Sequence, residues 1–188
     1  VGAINSKLSR FLPAGFYYKM FIHPRSFWKH IYEPIIRHSA GLGKAPKARD
    51  QDSYEHYYHH CEVMVVGGGI AGLQSARSAA ATGVRVLLVE QTAHWGGRAP
   101  VDGVTIDGLA VEDWVAQTLA ELAACDNVVI RNRTQGSGVY DHGYALAYER
   151  IADHTPGDGR PRHRLWRVRC KQIVTATGAI ERPLSFAG

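Results

Sequence analysis

The chain has 188 residues, of which 45% are hydrophobic and 21% charged, and a formal net charge of +5 at pH 7. These values are typical of one modest globular domain with extensions. No apolar run approaches the length of a membrane span, and the positive charge comes without a basic helix or a recognised nucleic-acid motif. We therefore expect neither membrane insertion nor nucleic-acid binding, and the wide spacing of Cys61, Cys125 and Cys170 favours reduced thiols in a cytoplasmic protein.

Residues 1 to about 60 read as an N-terminal arm and linker rather than a domain. The arm is interrupted by Pro13, Pro24 and Pro34, and short helices are predicted around Ser26–Tyr32 and Glu33–Ala40. Its large side chains imply burial against the body of the protein or another subunit. The aromatic residues of the arm are Phe11, Phe16, Tyr17, Tyr18, Phe21, Phe27, Trp28 and Tyr32.

The stretch from Tyr54 to Cys61 brings three histidines close together just before the first predicted strand. A metal site would need better-placed carboxylates or thiols, so we expect no metal here. The stretch is interpreted instead as an amphipathic lead-in that packs at the edge of the fold.

The segment Val63 to Glu90 predicts one βαβ unit. An apolar strand, Val63 to Val66, leads through a glycine turn into a helix from about Ile70 to Thr82, and a second strand, Val84 to Val89, follows. Such a unit crosses over right-handed into a parallel sheet.

The turn matches the dinucleotide-binding pattern G-x-G-x-x-G through Gly67, Gly69 and Gly72. The first glycine allows the tight turn, the second allows a diphosphate to approach the backbone, and the third allows close packing of helix on strand. The helix N terminus, with Ile70 and Ala71, would then face the diphosphate. We predict these five positions as cofactor-binding residues.

The second strand of this unit ends on an acid, as the same pattern requires. Glu90 can hydrogen-bond the adenine ribose and would repel a 2′-phosphate, which favours NAD or FAD over NADP. Gln91 follows directly, and Gly97 with Arg98 indicates a second close approach of backbone to cofactor, although a simple glycine turn is an alternative.

The rest of the chain shows helical periodicity in some segments and the two-residue periodicity of strands in others. Val101 to Gly108 reads as a loop or short hairpin, and a helix over Val111 to Ala124 then leads to a third strand within Asn127 to Arg133. Antiparallel strands of a β-meander are predicted at Val139–Tyr140, Gly143–Arg150 and His163–Cys170.

A last buried strand, Gln172 to Thr177, ends on Gly178, where a glycine lies beside the cofactor crevice. Asp141 and His142 could form a catalytic pair, but neighbouring side chains in a strand point to opposite faces, so a structural role is favoured. No catalytic residue is assigned.

The predicted fold is α/β: a Rossmann-like three-layer parallel sheet with an inserted β-meander, preceded by an irregular or helical arm. We expect two regions, residues 1–60 as arm and linker and residues 61–188 as a dinucleotide-binding domain that is incomplete at its C terminus.

Several motifs make the chain similar to one family in particular. CEVMVVGGGIAGL, YDHGY, RLWRVRCKQIVTATGAIERPLSFAG and FLPAGFYYKMF resemble the alpha subunit of heterotetrameric sarcosine oxidase, a two-dinucleotide-binding-domain flavoprotein. The resemblance implies a complex with beta, gamma and delta subunits in bacterial cytoplasm. That complex converts sarcosine to glycine, passes the methyl carbon to tetrahydrofolate and gives hydrogen peroxide.

By this resemblance the glycine site would hold NAD, with FAD and FMN elsewhere in the complex. The alternatives are an FAD-binding alpha subunit of an amine, opine or proline dehydrogenase, and a non-catalytic subunit that NAD only stabilises. Because the folate-binding part of the family is absent from these 188 residues, the chain would be a partial subunit that is not competent alone.

Overall fold

The computed structural model describes residues 24–43, 47–155 and 157–179. The chain divides into two units, residues 1–51 and 52–188. The boundary falls earlier than the predicted division at residue 60 because the strand that begins at Tyr54 pairs within the larger unit. The FLPAGFYYKMF motif and the segment from Ile180 onward lie outside the described residues.

The first unit contains a helical segment, in which α1 (Arg25–Phe27), a π-helical turn (Trp28–Tyr32) and α2 (Glu33–Ser39) follow one another directly. The predicted interruption at Pro34 is therefore wrong. The proline occupies the first turn of α2, where its missing N–H costs no hydrogen bond.

A parallel sheet lies at the centre of the second unit. Its strands are β2 (Val63–Val66), β3 (Val86–Val89), β6 (Val128–Arg131) and β10 (Gln172–Thr175), in the spatial order β10-β2-β3-β6. All neighbouring strands are parallel, and Val66 aligns with both Val89 and Thr175. The carboxyl ends of these three strands therefore meet at one edge of the sheet.

Two helices cover one face of this sheet, α3 (Ile70–Ala80) and α5 (Val111–Ala123). The predicted helices have the same starts and end within two residues of these limits. Alternation within the strands separates the two faces: Val65 and Leu88 pack under the helices, whereas Met64 and Leu87 face the opposite side.

The opposite face is covered by an antiparallel meander of β7 (Thr134–Tyr140), β8 (Tyr144–Arg150) and β9 (His163–Arg169). Ala145, Ala147, Trp166 and Val168 point from it into the second core cluster. The predicted meander and the three-layer α/β fold are thus confirmed.

A fourth strand joins the meander. It is formed by the segment before the first predicted strand, which the sequence predicted only as an amphipathic lead-in. Strand β1 (Tyr54–His60) pairs in parallel with β9, with Tyr57 opposite Trp166. Its histidines lie along a sheet, where alternate side chains point to opposite faces. Within the described residues, no group of three or more His, Cys, Asp or Glu side chains could hold a metal ion.

Between β3 and α5 the chain forms a short helix, α4 (Ala99–Asp102), and a small hairpin of β4 (Thr105–Ile106) and β5 (Leu109–Ala110). The hairpin overlaps the predicted loop or hairpin of Val101 to Gly108, but Val101 lies in α4 and the second strand follows Gly108. No helix in the part of the chain that the structure describes is long and apolar enough to cross a membrane.

Candidate functional site

Two glycines of the turn between β2 and α3 are required by the packing of the chain itself. Gly67 has φ +110°, and a Cβ atom there would lie 2.3 Å from the carbonyl oxygen of Ala176. A Cβ atom on Gly72 would lie 1.8 Å from the carbonyl oxygen of Gly67. These contacts allow the turn to approach the end of β10 and the helix to approach the turn.

Gly69 differs from these two residues. Its backbone, with φ −72° and ψ 180°, is extended and open to any residue. A Cβ atom there would meet nothing closer than the Cα of Gly97, at 3.9 Å. Neither conformation nor packing within the described chain therefore requires glycine at this position. What a side chain would obstruct is the open space at the start of α3.

The start of α3 has the features of an anion site. Gly69 is the N-cap residue and forms no side-chain cap, so the first helical amides, which include those of Ile70 and Ala71, have no side-chain acceptor there. The helix runs over 11 residues, Ile70–Ala80, and its aligned peptide dipoles favour negative charge at this end.

Glu90 follows β3 and is 7% exposed. Its Oε2 accepts the N–H of Gly68 at 2.6 Å, and its Oε1 accepts the N–H of Thr92 at 2.8 Å. The sequence predicted a carboxylate directed at a ribose, but the structure also gives it a part in holding the turn. Each carboxylate oxygen keeps a second lone pair for a further donor.

The second glycine pair, Gly96 and Gly97, comes against the first. The N–H of Gly96 donates to the carbonyl oxygen of Gly68 at 2.8 Å, and Gly69 and Gly96 form a parallel bridge. A Cβ atom on Gly97 would lie 3.1 Å from the Cα of Gly69. The two predicted glycine segments therefore form one surface.

Arg98 follows on the exposed side of this surface. Its Nε donates to Asp102 Oδ1 at 3.1 Å, so part of its charge is balanced within α4. Gly178 comes shortly after the end of β10, and a Cβ atom there would meet none of the described residues within 4 Å. It follows β10 at the edge of the sheet where the glycine turn also lies.

A cavity of about 260 Å³ adjoins the loop after Glu90. It is lined by Gln91, Thr92, Gln135, Tyr148 and Arg150. Arg150 joins the two sides, because its Nη2 donates to the carbonyl oxygen of Gln91 at 2.7 Å. Gln135, Tyr148 and Arg150 of the meander were not predicted from the sequence, because nothing local in β7 or β8 indicates which loop these residues will contact.

Asp141, His142 and the thiols of Cys61 and Cys170 are further groups with reactive chemistry. Asp141 and His142 lie in a 3₁₀ turn, Asp141–Gly143, with His142 at φ 59°, so the premise that they belong to a strand is wrong. Burial raises the pKa of the Cys61 thiol to about 12, with Cys170 a further cause. Both thiols are free and buried.

Comparison with known proteins agrees with this geometry. A family model described as FAD dependent oxidoreductase matches residues 62–150. An L-proline dehydrogenase from P. horikoshii has a similar fold, with a TM-score of 0.53 at 22% identity over 75% of this chain and 27% of that one. The fold and the glycine turn thus define the chain as a Rossmann-type protein, a segment of which matches the class of FAD dependent oxidoreductases.

The sequence relatives identify the family within that class. The sarcosine oxidase subunit alpha of Rhizobium meliloti (strain 1021) is 44% identical over the whole of this chain. That of Corynebacterium sp. (strain P-1) is 41% identical over 78% of it. The chain belongs to the family of sarcosine oxidase alpha subunits, and it spans 19% and 16% of the lengths of these two relatives.

Proposed function

We propose that this chain is the dinucleotide-binding part of an oxidoreductase subunit and that the diphosphate of the cofactor lies against Gly69. The observation that carries the proposal is the contrast among the glycines. Gly67 and Gly72 are required by protein packing, whereas Gly69 has room for a side chain and an unstrained backbone. A ligand that comes against the backbone accounts for glycine there.

Each part of the site has a distinct role in this proposal. The amides at the start of α3 bind the diphosphate, Glu90 accepts hydrogen bonds from the adenine ribose, and Gly97 with Arg98 contacts the cofactor from the second glycine segment. We propose that the adenine lies beyond the acid, and the cavity of about 260 Å³ beside Gln91 supports this because it has room for a nucleobase.

The identity of the dinucleotide is the finer part of the proposal. The matched family model is described as FAD dependent and supports FAD, whereas NAD, the first candidate from the sequence, rests on the family resemblance alone. The residues discussed above contact the ADP half that both molecules share, so they do not separate the two. When bound, either cofactor accepts a hydride, and no residue of this chain is assigned to that step.

We further propose that the complete protein oxidises a secondary amine, as the name of its relatives states for sarcosine. The family resemblance implies that this oxidation takes place in the cytoplasm, in a complex with beta, gamma and delta subunits. It also implies that the methyl carbon passes to tetrahydrofolate. The alternatives are an amine, opine or proline dehydrogenase subunit that holds FAD, and a structural subunit that NAD only stabilises.

Mass spectrometry of the small molecule released on denaturation tests this proposal. NAD in the supernatant supports the first candidate, and FAD with a flavin absorbance spectrum supports the second. Titration calorimetry with NAD, FAD and ADP on the ligand-stripped chain then gives the affinities. Absence of binding by all three would overturn the proposal. In the assembled complex, reduction of bound NAD by sarcosine would exclude the purely structural role.

A further inference from the structure

The indole of Trp95 lies against Gly68, the middle residue of the first Gly-x-Gly triplet. A Cβ atom built on Gly68 would stand 2.4 Å from Cε3 and 2.6 Å from Cζ3 of Trp95, and 2.9 Å from Cβ of Glu90. Because carbon atoms pack at about 3.5–4.0 Å, the indole already fills the space that a side chain would need. The G-x-G-x-x-G pattern accepts any residue here, so glycine at this position is required by the packing of Trp95 and, less tightly, of Glu90 Cβ.

Gly68 is held on two further sides. Its N–H donates to Glu90 Oε2 at 2.6 Å, and its carbonyl oxygen accepts the N–H of Gly96 at 2.8 Å. Both Gly68 and Glu90 are buried. Trp95 therefore contributes to excluding water from a hydrogen bond to a carboxylate, and such a bond is stronger in surroundings of low dielectric.

Trp95 also connects this turn to the rest of the molecule. It is partly buried and packs against the cluster between the parallel sheet and the helices, which includes Leu73 and Val115. A ring that only filled this cluster would not need to touch Gly68. The ring instead also touches the turn at Gly68, the residue that leads into Gly69.

We infer that Trp95 is a positioning residue for the dinucleotide site. Its ring holds Gly68 against Glu90, and so it sets the direction of the amides that follow and of the carboxylate. The inference depends on the proposed function for its ligand, but the ordering of the turn can be measured without any ligand.

Trp114 provides a matched control, because it is a buried tryptophan of the same core cluster whose ring lies under the guanidinium of Arg77. The experiment compares Trp95→Leu, Trp95→Phe and Trp114→Leu by titration calorimetry with ADP, NAD and FAD, below the melting temperature of every variant. Amide hydrogen exchange of Gly68, relative to that of the core strand residue Leu88, is measured on the ligand-free proteins.

Trp95→Leu should weaken binding about tenfold or more and speed Gly68 exchange by a similar factor, because the bond to Glu90 is then open to water. Trp95→Phe should restore most of both. Trp114→Leu should lower the melting temperature and leave both quantities within about twofold. Unchanged Gly68 exchange in Trp95→Leu, or an equal change in Trp114→Leu, would overturn the inference.

A double-mutant cycle keeps the inference testable if Trp95→Leu folds poorly. Gly68→Ala alone should lower affinity, and Trp95→Val should recover part of that loss by making space. Strictly additive effects would count against the contact. If the wild-type chain binds none of the three ligands while Gly68 exchange still responds to Trp95, the proposed function fails and the positioning of the turn stands.

Discussion

Replacing Gly69 by serine should stabilise the empty chain and weaken dinucleotide binding. The residue is the N-cap of α3, its dihedral angles suit any residue, and a new Cβ atom would find its nearest neighbour at 3.9 Å. Serine is a preferred N-cap because its oxygen accepts an amide of the first helical turn. Those amides are the ones that the proposal gives to the diphosphate.

The two effects have opposite signs and can be estimated. Removing a glycine from a position with compatible dihedral angles stabilises by about 0.4–1 kcal/mol through the unfolded chain. A serine cap adds a few tenths of a kcal/mol over glycine, so the free energy of unfolding should rise by about 1 kcal/mol. Losing one hydrogen bond to a charged diphosphate costs about 1.5–3 kcal/mol, and each 1.4 kcal/mol is tenfold in affinity.

Gly72→Ala is the control, because packing within the chain, rather than a bound ligand, requires glycine at this position. Its Cβ atom would lie 1.8 Å from the Gly67 carbonyl oxygen, so the helix must move away from the turn. Overpacking of this kind costs about 1–3 kcal/mol or more. Urea denaturation gives the free energies of unfolding, and titration calorimetry with ADP, NAD and FAD gives the affinities. A Gly69→Ser protein as destabilised as Gly72→Ala, or one with undiminished affinity, would refute the reasoning.

Three further predictions concern the charged groups and thiols. Glu90→Ala should destabilise the ligand-free chain by about 1–3 kcal/mol in urea denaturation, because the buried Gly68 amide loses its acceptor; unchanged stability would remove that role. Hydrogen bonds from Arg85 lower the pKa of Glu62 from 4.5 to about 2. Glu62→Gln should therefore lower the free energy of unfolding fully above pH 4.5, and this loss should vanish as the pH falls towards 2. A difference in urea midpoint between wild type and variant that stays constant over this pH range would contradict the prediction. Burial raises the pKa of Cys61 to about 12, so iodoacetamide at pH 8 should label Cys125 well before Cys61 in the native chain, as peptide mass spectrometry can check.

The βαβ unit could be predicted closely because its signals are local. The apolar run from Val63 to Val66 became β2 without change, and α3 begins at the predicted Ile70. The glycine spacing also predicted close packing at the start of the helix, and Gly72 indeed comes against the carbonyl oxygen of Gly67. A glycine turn between a strand and a helix leaves the backbone few alternatives.

Contacts between residues that are far apart in the sequence could not be predicted from such local signals. Strand β1 owes its pairing to β9, more than a hundred residues away, and its tyrosines, histidines and single glutamate form no distinct apolar face. The placement of Trp95 against Gly68 and of Arg150 beside Gln91 likewise follows from how whole layers meet. Only the packed structure shows that Glu90, which the sequence predicts as the ribose-binding acid, also bonds to the turn.

A crystal structure of the chain soaked with NAD or FAD tests the central claim most directly. We predict density for a diphosphate within hydrogen-bond distance of the amides that begin α3, with the ribose at Glu90 and the adenine towards Gln91. Density for the nucleotide at any other place on the chain, with the space beside Gly69 left to solvent, would contradict the account.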